Sequence, residues 1–227
     1  MKRIKYLIVC PTSLEAGYLS KEAIRVSKEV ELYSLPHFNQ TDLLISGIGI
    51  NKTTYSLTKA LNIKKYDFVI HIGIAGSYDN QLVLGSVVNI QSEAYGDMGI
   101  ESQKGFTSLF DLNLINKNEF PFTDGKLINK TFIPQFFAAY PSLNGVTVNS
   151  LSTIEKTNKK RKELFNAQIE SMEGAAVFFT CMMEKIDFME IRAISNYVGE
   201  RDKNYWKIEE AIKNLNKVVS EFLKQHI

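Results

Sequence analysis

The chain of 227 residues is poor in several residue types, and each shortage removes a class of function. It has two cysteines, Cys10 and Cys181. With no second pair there is neither a thiolate metal site nor a disulfide framework, so both are read as buried free thiols. Neither sign of charge is in excess: 27 basic residues stand against 25 acidic ones, net +2, and the basic ones do not gather into a stripe. Nucleic acid is therefore not expected as a partner. No apolar run approaches the roughly twenty residues of a membrane span, so no membrane is expected either. The opening "MKRIKYLIVCPTSLEAGY" holds an apolar run of only about five residues, well short of a signal-peptide core. A cytoplasmic protein is the expectation. No metal-ligating constellation appears, and no cofactor is expected; His71, alone in a strand, and Trp206 are read as packing residues.

What is present is one large core's worth of apolar residues, 44% of the chain, and nothing marks a second core. Residues 1–227 are read as a single domain. Strand-like and helix-like runs alternate, the pattern of an α/β domain with a central mixed sheet flanked by helices. Strands are expected at 6–10, 42–47, 67–73, 85–91, 144–149 and 187–195. Helices are expected from Leu14 to Lys28, from Asn51 to Leu61, and at the end of the chain. There Ile208, Ala211, Ile212, Leu215, Val218, Val219, Phe222 and Leu223 have the spacing of one packed face. Residues 102–144 hold seven of the fourteen phenylalanines and three of the five prolines with little periodicity, and read as an aromatic-rich insertion within the domain.

Two glycine-rich stretches follow expected strands. "SGIGINKTT" (46–54) lacks the third glycine of a dinucleotide fingerprint and the Gly-Lys-Ser/Thr of a triphosphate loop. It and "HIGIAGS" (71–77) remain either plain turns or places where the backbone approaches a ligand. Two such loops at strand carboxyl ends of one sheet favour a site between them. In "QIESMEGAAVFF" (168–179), Glu170 and Glu173 flank Met172 ahead of Gly174, Ala175 and Ala176. Glu173 can be an ordinary acid at a helix start, favoured by the dipole. It can also accept from two vicinal hydroxyls at once, as a ribose 2′,3′-diol offers, with the small residues leaving room and Met172 packing under the sugar ring.

"PTSLEAGYL" (11–19), "SGIG", "GIAGS", "SMEGAA" and "RAISNYVGERD" (192–202), in that order, resemble the nucleoside phosphorylase and nucleosidase superfamily over essentially the whole chain. Within it they are similar to the futalosine hydrolase family, which splits futalosine into hypoxanthine and a dehypoxanthinyl sugar in the alternative menaquinone route. The resemblance implies a nucleoside phosphorylase-like fold and a hydrolase for a small-molecule nucleoside. It also implies a homo-oligomer, a dimer or larger. Glu173 would hold the 2′,3′-hydroxyls and Glu15 would be the general base on the attacking water. Asn196 stands where adenine-releasing relatives carry Asp. An amide can accept from N7–H and donate to a carbonyl at C6, which favours a 6-oxopurine such as hypoxanthine, although a strand-end Asn can also merely cap a turn. Ile74, Ala75, Gly76, Ser152, Thr153 and Ser195 would line the substrate. Arg201 and Asp202 would form an ion pair beside Asn196, and Phe106, Phe110, Phe120 and Phe122 would wall the 5′ side or an interface between copies.

"CPTSLEAGY" contains no arginine, "SGIGINKTT" offers only Lys52, and Ile74 stands where phosphate-using relatives carry a hydroxyl. Water is thus expected as the nucleophile, with Arg25 and Lys52 as the cations that would overturn this. The rival readings are a purine nucleoside phosphorylase or adenosyl-type nucleosidase, and a non-catalytic nucleoside sensor.

Overall fold

The apolar runs "FVIHIGIAGS" and "DFMEIRAISNY" form the two longest strands, and these pair in parallel through the middle of the molecule. The computed structural model describes residues 4–21, 23–102, 105–200 and 202–226. In chain order the elements are β1 (Tyr6–Cys10), α1 (Ser13–Ala16), β2 (Ile24–Arg25), β3 (Glu31–Ser34), β4 (Thr41–Ile45) and α2 (Ile50–Ile63). Then come β5 (Phe68–Ser77), β6 (Val87–Glu93), β7 (Gly99–Ser102), β8 (Gly105–Ser108), β9 (Phe122–Thr123), β10 (Lys126–Ile128) and β11 (Ser142–Thr147). Last are α3 (Glu155–Phe165), β12 (Ile169–Ser171), α4 (Gly174–Glu184), β13 (Asp187–Tyr197) and α5 (Ile208–His226).

The main sheet is mixed and runs β2-β3-β4-β1-β5-β12-β11-β6-β10-β9, with β13 pairing both β5 and β6. That last pairing closes a ring: β5 to β13, β13 to β6, β6 to β11, β11 to β12, and β12 back to β5. Closure matters because it brings the ends of β5, β12 and β13 to one rim.

Strands β1, β4 and β5 read as continuous apolar runs because helices cover both faces of their sheet. Along β1 the side chains alternate between two cores, Leu7 and Val9 on one side and Tyr6, Ile8 and Cys10 on the other. The first core receives Leu57, Ala60 and Leu61 of α2 and Ala175, Val177, Phe178 and Cys181 of α4. The second receives Ala211, Leu215, Val218, Val219, Phe222 and Leu223 of α5, the face expected from spacing. Each large side chain buried this way contributes roughly 1.5–3 kcal/mol. Ile208 and Ile212 instead lie outside both buried cores.

The helix expected from Leu14 to Lys28 does not form. After one turn, α1 stops at Gly17, whose φ is +56° and whose missing Cβ would lie 2.7 Å from Asn216 Oδ1 of α5. A 3-10 turn over Gly17–Ser20 follows, and the chain continues as β2, hydrogen-bonded to β3. Helix propensity loses here to a tertiary contact that only glycine admits. β3, α3 and β12 carried too little periodicity to be expected, whereas β1, β4, α2, β5, β6, β11, β13 and α5 fall where expected within a few residues.

Residues 102–144 join the main sheet through β10, which pairs with β6, and through the start of β11, and they also pack rings on the helices. Phe122 packs on Phe110 and on Phe179 of α4, with ring centroids 5.0 and 6.2 Å apart. Phe136 and Phe137 pack on Phe222 of α5 at 5.7 and 4.8 Å. Among the described residues, no helix is long and apolar enough to cross a membrane.

Candidate active site

The carboxyl ends of β1, β4, β5 and β13 and the end of β12 meet around one cavity of 350 Å³. This is where a ligand of an open parallel sheet is expected to sit. Glu15 arrives from α1, just after β1. Its carboxylate is fixed by two donors, Thr12 Oγ1 on Oε2 (2.6 Å) and the Ile74 amide on Oε1 (3.1 Å). Glu15 is buried yet lines the cavity, so it is oriented without being sealed off.

Glu173 precedes α4 but does not cap that helix with its side chain. Its Oε1 accepts instead from the Gly49 N–H (2.9 Å), at the amino terminus of α2. "SGIG" is therefore a carboxylate-binding turn: Gly49 adopts φ +89° and offers its amide to the protein's own acid. Burial pushes the Glu173 carboxyl above its usual range, against the pull of Arg192 and the Gly49 amide.

Behind both glutamates lies a buried polar cluster. On the apolar strand β13, Glu190 and Arg192 occupy alternate positions, opposite His71 and Gly73 of β5. Arg192 is fully buried. Its Nε donates to Glu190 Oε1 (2.7 Å), its Nη1 to the Ile74 carbonyl (3.4 Å), and Nη1 stands 3.9 Å from Glu173 Oε2. Gly73 is required: a Cβ there would collide with Arg192 Nη1 and lie 3.2 Å from Glu15 Oε1. One guanidinium thus stands between the general-base candidate and the sugar-holding candidate.

His71 is no mere packing residue. Arg192 Nη2 approaches its Nε2 at 3.1 Å, and its Nδ1 lies 3.2 Å from Glu190 Oε2. The same Nη2 lies 3.3 Å from Nδ1, so the guanidinium approaches both ring nitrogens. Burial and the neighbouring Arg192 charge lower the His71 pKa to about 4, despite Glu190, so the ring is neutral. Burial alone would raise Glu190, but Arg192 and His71 hold it below the usual carboxylate range. Glu93 behaves oppositely: burial and the Glu190 charge push it well above its usual range. Thr147 Oγ1 donates to its Oε2 (2.8 Å) and accepts from the Ala175 amide (2.7 Å). Gly174 faces these acids, not the cavity; a Cβ there would collide with Glu93 Oε1 and lie 2.9 Å from Glu190 Oε1.

At the far end of the cavity, β13 bulges. Ile194 faces Ala75, Asn196 faces Gly76, and Ser195 is the extra residue between them. The bulge leaves Ser195 Oγ 3.2 Å from the Ala75 carbonyl and 2.8 Å from Asn196 Oδ1, while Asn196 Nδ2 donates to the Tyr197 carbonyl (3.1 Å).

Of the residues singled out from sequence, Glu15, Ile74, Ala75, Gly76, Met172, Glu173, Ser195 and Asn196 all line this one cavity. Ser152 and Thr153 do not. Ser152 shapes its own loop, accepting the Ile154 amide on Oγ and the Asn158 Nδ2 on its carbonyl (both 3.0 Å), and Thr153 is exposed; Leu151 lines the cavity instead. Phe106, Phe110, Phe120 and Phe122 also lie elsewhere; the apolar walls are Leu14, Ile48, Leu151, Trp206, Ile208 and Ile212. Asp202 accepts from the Asn204 amide (3.0 Å), and Arg201 lies outside the described residues. Arg25 is exposed on β2 and donates to the Ser27 carbonyl (2.9 Å), and Lys52 folds over Gly47. Among the described residues lining the cavity there is no lysine or arginine.

A family model described as the phosphorylase superfamily matches residues 5–224. The chain belongs to that superfamily. Within the superfamily, the futalosine hydrolase of Streptomyces coelicolor is 29% identical over 197 residues, 84% of this chain and 80% of that protein. The futalosine hydrolase of Thermus thermophilus is 25% identical over 228 residues, 97% of this chain and 96% of that protein. The fold matches that of the S-adenosylhomocysteine nucleosidase of Streptococcus pyogenes, solved with 5-methylthiotubericidin, at a TM-score of 0.79 and 20% identity over 99% and 98% of the two chains. This member of the superfamily is an enzyme of the N-glycosyl hydrolase type.

Proposed function

We propose that the chain hydrolyses the N-glycosidic bond of futalosine, releasing hypoxanthine and the dehypoxanthinyl sugar, in menaquinone biosynthesis. The observation that carries this reading is Arg192 lying between two oriented carboxylates, Glu15 and Glu173, in a cavity that ends at an amide, Asn196. Glu173 holds the ribose 2′,3′-diol. Glu15 takes a proton from water as the water oxygen bonds to C1′. The C1′–N9 bond breaks, its electron pair passes into the purine, and N7 takes a proton from solvent water while Glu15 returns to solvent the proton it accepted, so free base and sugar balance. Asn196 accepts from that N7–H through Oδ1 and donates to the C6 carbonyl through Nδ2, so it favours the leaving group as charge develops.

Two features support water over phosphate. The helix terminus best suited to an anion, that of α2, already binds Glu173, and no described cation lines the cavity. Leu14, Ile48 and Leu151 line the cavity while remaining exposed, which supports a homo-oligomer whose neighbouring copy covers this rim. The test is base release from futalosine, inosine and methylthioadenosine, each with and without phosphate. Phosphate-independent hypoxanthine from futalosine is expected, with Asn196→Asp lowering that rate tenfold or more. Release only with phosphate would make it a phosphorylase, and release only from methylthioadenosine would make it an adenosyl-type nucleosidase.

A further inference from the structure

Thr12 opens the run "TSLE", which has the spacing of a helix capping box. In that arrangement the Thr hydroxyl accepts from the amide three residues on, and the Glu side chain reaches back to the Thr amide. Only the first half forms here. Thr12 Oγ1 accepts from the Glu15 N–H at 3.2 Å. The Glu15 carboxylate turns instead to other donors, with Oε2 on the Thr12 hydroxyl at 2.6 Å and Oε1 on the Ile74 amide at 3.1 Å. A hydroxyl has one hydrogen and two lone pairs. With a lone pair given to the Glu15 amide and the hydrogen to Oε2, the direction of the Thr12 hydroxyl is fixed, and the carboxylate is fixed with it.

A second group competes for that carboxylate. A Cβ on Gly73 would overlap Arg192 Nη1 and lie 3.2 Å from Glu15 Oε1, so the space of one missing methyl group separates the acid from the buried guanidinium. Arg192 pairs with Glu190 at 2.7 Å and stands 3.9 Å from Glu173, yet among the described residues it forms no ion pair with Glu15. Opposite charges this close attract strongly where water is excluded. The Ile74 amide does not oppose that pull, because it binds Oε1, the oxygen nearer Arg192, and Arg192 itself donates to the Ile74 carbonyl at 3.4 Å. Thr12 holds the other oxygen.

A carboxylate that closes an ion pair gives its lone pairs to the guanidinium and becomes a weaker base. Held apart, Glu15 keeps lone pairs open to the cavity that it lines together with Thr12. We infer that Thr12 is a positioning residue, whose hydroxyl keeps Glu15 from closing onto Arg192 and so leaves it free to take the proton of the attacking water. This rests on the reading of Glu15 as the base. A half-made capping box thus serves the chemistry more than the four-residue helix it begins.

The experiment measures kcat, KM and Tm for wild type, Thr12→Val and Thr12→Ser, and for Thr12→Val placed on Glu15→Gln, with crystal structures of wild type and Thr12→Val. Val keeps the shape and loses the hydroxyl, whereas Ser keeps the hydroxyl. Expected for Thr12→Val is a kcat lower by about 10- to 100-fold with KM changed by less than about threefold, because the hydroxyl acts on the base and not on substrate binding. Thr12→Ser should restore kcat to within about threefold of wild type. On Glu15→Gln, Thr12→Val should change the residual rate by less than about twofold, while the lost cap lowers Tm alike in both backgrounds. In the Thr12→Val structure a Glu15 oxygen should lie within about 4 Å of the Arg192 guanidinium. An equal fall in rate on Glu15→Gln would make Thr12 a cap alone and overturn the inference, as would an unchanged kcat or a Glu15 carboxylate that stays in place in the variant. Wild type that releases no base from futalosine, inosine or methylthioadenosine in the absence of phosphate would sink the hydrolase reading, and the two crystal structures would then decide this inference by themselves. Should Thr12→Val fail to fold, Thr12→Cys, whose thiol is a much weaker donor, replaces it in every measurement.

Discussion

His71 shows how much a single buried side chain can carry. It touches Arg192 and Glu190, and Arg192 in turn stands 3.9 Å from Glu173; it does so as a neutral ring. Its folded pKa of about 4 lies below the model-peptide value of 6.5, so the unfolded chain binds the extra proton first on acidification. Its stability contribution is complete above pH 6.5 and is lost as the pH falls toward about 4, by at most about 3 kcal/mol. Tm measured from pH 7.5 to 4 should therefore fall more steeply in wild type than in His71→Gln. Parallel curves would place the acid sensitivity elsewhere. "RAISN" was legible as a family sign, but Arg192 within it and His71 were not legible as partners. In a strand, a charged residue flanked by apolar ones looks like an exposed edge until the register sets it beside an opposite charge.

The elements place these residues by close backbone approach. α4 seats its first turn directly on the Glu93 and Glu190 carboxylates because Gly174 has no Cβ. Gly174→Ala has no free volume to enter, since both acids are fully buried, and should cost about 1–3 kcal/mol through displacement of the helix end. The same shift moves Glu173, so Tm and turnover should fall together; an unchanged Tm would mean that the acids relax. The small residues after Glu173 thus serve the helix seat, where the sequence alone suggested room for a sugar. α1 makes the same point about propensity. "SLEAGYLSKEAIRVSK" reads as a helix, but the approach of Asn216 to Gly17, 199 residues away in sequence, cuts it to one turn. That cut lets α1 present Glu15 at its first turn, and Asn216 Nδ2 donates to the Glu15 carbonyl (2.8 Å) to hold it there.

Over the whole molecule, the ring of β5, β13, β6, β11 and β12 is the frame, and the site sits on its rim. Backbone amides in the middle of β5 and β13 should exchange with solvent slowest, and those of the edge strands β2 and β9 fastest. Hydrogen exchange read by mass spectrometry checks this; fast exchange in β13 would mean that the ring does not hold the Ser195 bulge rigid. The sequence by itself determined the class of fold and the position of most strands and of α2 and α5, and it singled out Glu15, Glu173 and Asn196, which line one cavity. Those properties follow from local periodicity and from short motifs whose residues are neighbours in the chain. Only the tertiary structure decided that Arg192 approaches Glu173, that the Gly49 amide donates to Glu173, that Leu151 and not Ser152 or Thr153 lines the cavity, and that Glu170 and Asn196 both pair with Gly76. The physical reason is separation. Sequence separations of 118 between Ile74 and Arg192, and of 124 between Gly49 and Glu173, carry no local signal of contact, and register across the sheet is set by the whole core at once.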